Sequence, residues 1–421
     1  MYEFFYIIFI KLYPIVCAVI SPVNNKAALW VKGRKDIFKK IDTAMSNSSA
    51  KKIWMHCASL GEFEQGKPLL EKIKKQYPGH TIVLTFFSPS GYEVQKHSNV
   101  ADHIFYLPID SRQNAKKFLA LVQPSLIMFV KYEYWYYYLK EAKEQNIPVL
   151  LASGIFFPHF SFFRWYGVLQ RKMLHFITHF FLQTESSKEL LSTLNITNVS
   201  VAGDTRFDRV LEVASEAGAF PEIEQFINSA RTIVAGSTWS EDDEALDHFA
   251  NTHPELKFII APHDISNERL KECCTLYKHA ILYSEYKAAL EKGEALAPGI
   301  NALIIDNIGK LKFLYRYATI CYVGGGFGSG IHNILEAAVY YKPVIFGPAY
   351  DDYSEAIDLI DKDGAFDIED ALELESQLNE LLNDQVLYNE ACNTAGKYVK
   401  NNTGATNVIM DYIYENRLLT N

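Results

Sequence analysis

Cysteine is scarce and poorly spaced for any cross-linked framework: there are six in 421 residues, at positions 17, 57, 273, 274, 321 and 392. Two are adjacent and none sits at the separations of a metal site, so a disulfide scaffold is excluded and a reducing compartment fits. Excess positive charge is also missing. A formal net charge of −9 argues against a nucleic-acid coat and leaves only local basic patches for anionic ligands. Short-period repeats and low-complexity tracts are absent, which removes solenoids and wholesale disorder. What is present is apolar bulk, with 49% hydrophobic and 22% charged residues, enough for two domains with separate cores.

The longest apolar stretch is N-terminal: FFYIIFI at 4–10 and LYPIVCAVI at 12–20, divided by Lys11. A bilayer span needs about 20 mostly apolar residues, and a central Lys costs on the order of 3 kcal/mol, so residues 1–22 read as a marginal membrane-associated helix, kinked at Pro14. Lys26, Lys32, Arg34, Lys35, Lys39 and Lys40 follow, which would hold the rest of the chain on the cytoplasmic side against anionic headgroups. Tyr2 and Glu3 supply no basic start for a secretion signal. Spanning, in-plane anchoring and a buried helix covering the domain remain open at this point.

From residue 53 short apolar runs alternate with helical patterns. IWMHC (53–57), TIVLTFF (81–87), HIFYL (103–107), LIMFV (126–130), VLLA (149–152) and HFFLQ (179–183) predict a parallel sheet in a first domain, 23–211. A polar stretch, 212–230, reads as a linker or interdomain helix. TIVAGS (232–237), KFIIAP (257–262), ALIID (302–306), TICYV (319–323) and PVIFG (343–347) then predict a second sheet in a domain at 231–421, its terminal helix free to cross back. The fold class is α/β, with ligands expected beyond the carboxyl ends of the strands where two such domains face across a cleft.

The most pointed motif is GGGFGSGIHNILEAA at 324–338. Its glycines, including Gly326, Gly328 and Gly330, would let backbone N–H groups approach an anion, and the predicted helix from 332 would place His332 and Glu336 on one face beside Asn333. A ligand-free tight turn is the alternative. Two further junctions point to the same sheet edge: Gly236, Ser237 and Thr238 after one strand, where Asp243 has capping-box spacing from Ser240, and His263 after the next. In the first domain, Ser59 and Gly61 form a polar turn before Glu62, which would start the helix 62–76 with its pKa lowered by the helix dipole. Glu133 ends another strand among aromatic residues. Arg206 lies near the domain boundary, available to a phosphate or carboxylate or paired with Asp204 or Asp208.

WVKGRK (30–35), SLGE (59–62), SPSGYE (88–93), YEYW (132–135), GDTRFD (203–208), AGST (235–238) and HNILEAA (332–338) together resemble the Kdo transferases, which glycosylate the lipid A precursor with 3-deoxy-D-manno-octulosonic acid. The resemblance implies a GT-B arrangement of two Rossmann-like domains and CMP-Kdo as donor substrate, with no separate cofactor and no metal. It implies an anionic, tetraacyl disaccharide acceptor, one or more Kdo units added, and an inner-membrane location with catalytic domains on the cytoplasmic face; no nucleic acid and no obligate protein partner belong to it. It assigns Glu62 as general base. Gly236, Ser237, Thr238, His263, the glycine loop, Asn333 and Glu336 would hold CMP, and Ser59, Gly61, Glu133 and Arg206 the acceptor side or Kdo. The chain departs from the pattern at ASGIFFPHFSFFRWYG (152–167), where Arg164 is the obvious basic residue, and at Arg206, where a lysine is usual. The competing classes are a nucleotide-sugar epimerase or UDP-sugar transferase of the same fold, and a catalytically inactive nucleotide- or lipid-binding module at the membrane.

Overall fold

The computed structural model describes residues 2–46, 50–216 and 218–420. It divides into two compact units: the chain up to Arg209 together with the stretch from Thr403 onward, and Val210–Asn402.

The first unit holds β1 (Lys52–Cys57), β2 (Thr81–Phe86), β3 (His103–Tyr106), β4 (Pro124–Val130), β5 (Val149–Gly154), β6 (His179–Leu182) and β7 (Val199–Val201). They form one sheet of order β3-β2-β1-β4-β5-β6-β7, parallel throughout. The second unit repeats the construction with β8 (Thr232–Thr238), β9 (Lys257–Pro262), β10 (Ala280–Leu282), β11 (Ala302–Ile304), β12 (Ile320–Val323), β13 (Val344–Phe346) and β14 (Ala365–Asp367), in the order β10-β11-β9-β8-β12-β13-β14. Parallel neighbours require crossover helices, which cover both faces of the sheet, so the strands read as continuous apolar runs. In β1 every residue is buried. Ile53, Met55 and Cys57 enter one core cluster, and Trp54 enters the other with Phe118, Phe129 and Tyr138.

Each sheet reverses its winding once. The chain leaves β1 for β2 and β3, then returns to the other side of β1 with β4; likewise it leaves β8 for β9 and returns with β12. Helices on either side of such a switch point diverge, leaving a crevice at the strand ends.

Among the described residues three helices precede β1: α1 (Tyr2–Ile20), α2 (Asn25–Gly33) and α3 (Ile37–Met45). In α1, Tyr6, Ile7, Ile10, Tyr13, Pro14 and Cys17 are buried or half-buried, a stripe at helical spacing that packs on the first unit. Tyr6 donates its hydroxyl to buried Asp110 at 2.5 Å, and Tyr13 packs against Trp30 and Phe87 with ring centroids 5.2 and 5.6 Å away. Arg34 of the WVKGRK motif lies over the Trp30 ring and donates to the carbonyls of Leu107, Trp30 and Phe87, stitching the N-terminal helices to the ends of β2 and β3. The segment 212–230 contains the end of helix Thr205–Glu216 and the helix Pro221–Ile227; Ala217 lies outside the described residues. Asp208 accepts from the backbone N–H groups of Gly404 and Thr406, each at 2.6 Å, and so caps the C-terminal helix Ala405–Glu415 on the first unit.

Candidate active site

At the first switch point, β1 passes through the Ser59 turn into α4 (Leu60–Gln76), and β4 ends in the loop bearing Glu133. Glu62 lies in the first turn of α4, its carboxylate accepting the N–H of Ala58. Glu133 is held more elaborately. His56 Nε2 meets Glu133 Oε2 at 2.8 Å, Trp135 Nε1 donates to the same oxygen at 2.5 Å, and the other ring nitrogen of His56 lies 2.8 Å from Thr85 Oγ1. His56 is fully buried.

The expectation that the helix start lowers the pKa of Glu62 is overturned. Burial, and then the negative charge of Glu133, push it up to about 8, while the Ala58 and Ser59 N–H groups and Lys131 oppose them. The N-terminal donors are present, but desolvation of a carboxylate beside a second carboxylate outweighs them. A carboxyl group near 8 exchanges protons close to neutral pH.

Ser59 begins α4 with extended backbone and no side-chain cap, and Gly61 faces open space where a side chain would fit. Arg206 is paired with Asp204, through both its backbone N and Nε at 2.8 Å. Burial raises the pKa of the Tyr132 hydroxyl, with Arg206 lowering it and Glu62 and Asp204 raising it. The backbone is strained here, with Lys131 and Ser153 at φ 63° and 54° just beyond β4 and at the end of β5.

At the second switch point Ser237, with φ 55°, and buried Thr238 end β8. The glycine loop follows β12. Gly326 is dictated by packing, since a Cβ there would lie 2.6 Å from backbone atoms of Gly347, and Gly330 by its φ of +128°; Gly328 has almost no neighbour. The helix expected from 332 begins only at Leu335 and ends at Ala338. His332 N instead donates back to the Gly324 carbonyl at 3.1 Å, and Asn333 Oδ1 accepts from Leu335 N at 3.3 Å, so the loop closes on itself before a helix can start. His332 and Glu336 therefore do not share a helix face, and four helical residues supply little dipole. Asn333 still reaches Glu336, Nδ2 to Oε1, at 3.3 Å.

The capping role expected for Asp243 belongs to Asp242. Its carboxylate accepts from Trp239 N at 2.8 Å, Gly325 N at 2.9 Å and the Tyr322 hydroxyl at 2.7 Å, tying the turn after β8 to the glycine loop. Asp243 is buried against Arg269 and Tyr277. His263 stacks against both Trp239 and His332, each ring pair 4.6 Å apart at 24°, and Trp239 Nε1 lies 3.4 Å from His332 Nε2; desolvation and then His263 lower the pKa of His332.

Sequence reading missed His56, Trp135 and Asp242 as organisers and the Trp239–His263–His332 stack. The lone polar residue near the end of IWMHC was the available signal for His56; nothing in SEDDE distinguished Asp242 from Asp243.

The model of the 3-deoxy-D-manno-octulosonic-acid transferase (kdotransferase) family matches residues 33–209. A bifunctional glycosyltransferase/methyltransferase of Fusobacterium nucleatum is 29% identical over 308 residues, 70% of this chain and 47% of that protein, so the chain spans about half of this relative. A 3-deoxy-D-manno-octulosonic acid transferase of Aquifex aeolicus is 28% identical over 338 residues, 78% of this chain and 86% of the relative. The crystal structure of UDP-GlcNAc 2-epimerase from Neisseria meningitidis bound to UDP-GlcNAc matches with a TM-score of 0.60 at 17% identity, over 86% of this chain and 100% of that one; at that identity the likeness concerns fold alone. The two-sheet, two-domain α/β architecture is consistent with GT-B. With SLGE on α4, YEYW after β4 and a family model ending in the helix of GDTRFD, the first unit matches the 3-deoxy-D-manno-octulosonic-acid transferase family, and the chain as a whole is similar to transferases of that description.

Proposed function

We propose that this protein transfers Kdo from CMP-Kdo to the 6′-hydroxyl of a tetraacyl disaccharide lipid A precursor, with inversion and without a covalent enzyme intermediate. The observation that carries this reading is Glu62, a half-buried carboxyl at the β1/β4 switch point raised to about 8 beside Glu133. As the acceptor oxygen bonds to the anomeric carbon of Kdo, the bond from that carbon to the CMP phosphate breaks and Glu62 takes the hydroxyl proton. Glu133 and Arg206 orient the acceptor side, with Ser59 and Gly61 shaping the turn that presents Glu62. The second unit holds the donor: Gly236, Ser237, Thr238 and the N–H groups around Gly326, Gly328 and Gly330 receive the phosphate, His263 stands at its edge, and Asn333 and Glu336 take the ribose hydroxyls.

The acceptor is a lipid, and α1 suits an enzyme that meets it at a surface. It is long and apolar enough to cross a membrane, yet its packed stripe and the Tyr6–Asp110 bond fasten one side of it to the first unit. The opposite side exposes Phe4, Phe5, Phe9, Ile15 and Val19. At about 100° per residue Lys11 falls at the margin of that exposed arc, where its ammonium can reach headgroups, which favours a helix lying in one leaflet over one that spans. Incubation with CMP-Kdo and the tetraacylated precursor, followed by intact-mass measurement, tests the reading: products heavier by whole Kdo units are expected and their number counts the additions. An unchanged acceptor mass, with folded protein and intact donor, refutes it.

A further inference from the structure

The first unit contains a groove of about 840 Å³ between α1 and the aromatic segment at 160–173. Phe5 and Phe9 of α1 line one side, Phe160, Tyr166 and Leu169 another, and Glu133 lines it together with Tyr132 and Tyr134. The groove is thus apolar along its walls and carries a carboxylate at the switch point, beside the group proposed as base. Its α1 wall is continuous with the outward face of that helix: Phe5 and Phe9 are exposed as well as groove-lining, and Tyr166 and its neighbour Trp165 are exposed on the other side. Exposed aromatics flanking an opening of this kind match the headgroup level of a bilayer.

We infer that this groove receives one acyl chain of the acceptor, drawn from the leaflet along α1, while the sugar to which that chain is attached lies at Glu133 and Glu62. The inference rests on the proposed lipid acceptor and adds a subsite to it. An amphiphile fits where a soluble sugar does not, because its polar head meets the carboxylates and its chain covers the aromatic walls. The stretch 152–167 that departs from the family pattern thereby gains a role: Phe160 and Tyr166 trade polar contacts for apolar area toward a chain. The subsite makes acyl length and number part of acceptor selection.

The test uses the full-length protein with a tetraacyl acceptor bearing a diazirine near the end of one acyl chain, photolysed and mapped by peptide mass spectrometry, alongside kinetics of Gln170→Trp. Gln170 lines the groove and is half-buried, so the larger side chain narrows the groove without entering the core. Label on the Phe160–Met173 wall, displaced by unlabelled acceptor, is expected. Gln170→Trp should lose that label and raise KM for the acylated acceptor by about tenfold with kcat unchanged, leaving KM for a de-acylated acceptor as in the parent. Label confined to the outward residues of α1, or equal change of KM for both acceptors, overturns the inference. Mapped groove label with no Kdo transfer would instead remove the proposed activity and leave the lipid subsite standing.

Discussion

The two switch points are built on one plan and equipped in opposite ways. At β1/β4 the groups that matter are side chains: two carboxylates, a buried histidine and a tryptophan, with Glu62 raised to about 8 by burial and by Glu133. At β8/β12 they are largely backbone, a glycine loop pinned by Asp242 to the turn after β8. The first arrangement raises the energy of negative charge and the second offers donors to it. Under the proposed function, a site for moving a proton and a site for holding an anion thus arise at corresponding switch points of two differently ordered sheets, by what is placed at the strand ends.

The comparison breaks most decisively at Glu62. Glu62→Gln should lower kcat on the order of a thousandfold while leaving CMP-Kdo affinity within error, measured by product mass and by calorimetry; unchanged turnover would end its assignment as base. The same variant has a stability signature. Because the folded-state pKa lies above that of the unfolded carboxyl, the native protein binds the extra proton between about 4.5 and 8, so stability falls as pH rises through that window. Glu62→Gln should therefore melt above the parent at pH 9 and together with it below pH 4.

On the other side, Gly326→Ala places a Cβ against the backbone of Gly347, a clash worth about 1–3 kcal/mol, and should weaken donor binding with little change in acceptor KM. Asp242→Asn keeps the shape but replaces the carboxylate that accepts from Gly325, Trp239 and Tyr322; donor Kd should rise by about tenfold, as expected for weakening charge-assisted bonds. Acceptor KM rising as much as donor Kd in either variant would erase the division of labour. The subtlest effect belongs to Glu133→Gln. Removing one of the two causes that raise Glu62 should shift the acidic limb of the kcat/KM profile to lower pH, and a limb that stays in place would mean burial alone sets it.

The alternation of apolar runs with helical patterns made both parallel sheets legible, because strands covered on both faces have no polar positions to obscure them. Glu62, Glu133, Ser237, Thr238 and the glycine loop were likewise visible as candidates, since residues at and just beyond strand ends are where open α/β sheets bind ligands. The helix at 332–338 was misread. Its residues have ordinary helical propensity, but the bond from His332 to the Gly324 carbonyl and the turn at Gly330 hold the chain in a loop until Leu335, a tertiary override of local preference. The apolar N-terminus showed a helix but not its attachment, because the Tyr6–Asp110 bond joins residues 104 apart.

The sequence by itself therefore determined the two α/β units, every strand but the three-residue β7, β10 and β14, and the family to which they point, since these rest on local periodicity and contiguous motifs. Only the tertiary structure decided that Glu62 is a weak acid, that His56 and Trp135 hold Glu133, that Asp242 rather than Asp243 fastens the glycine loop, and that one side of α1 is committed to protein. Each of these depends on burial and on partners distant in the chain, and a carboxylate's pKa is set by its surroundings in space rather than by its neighbours in sequence.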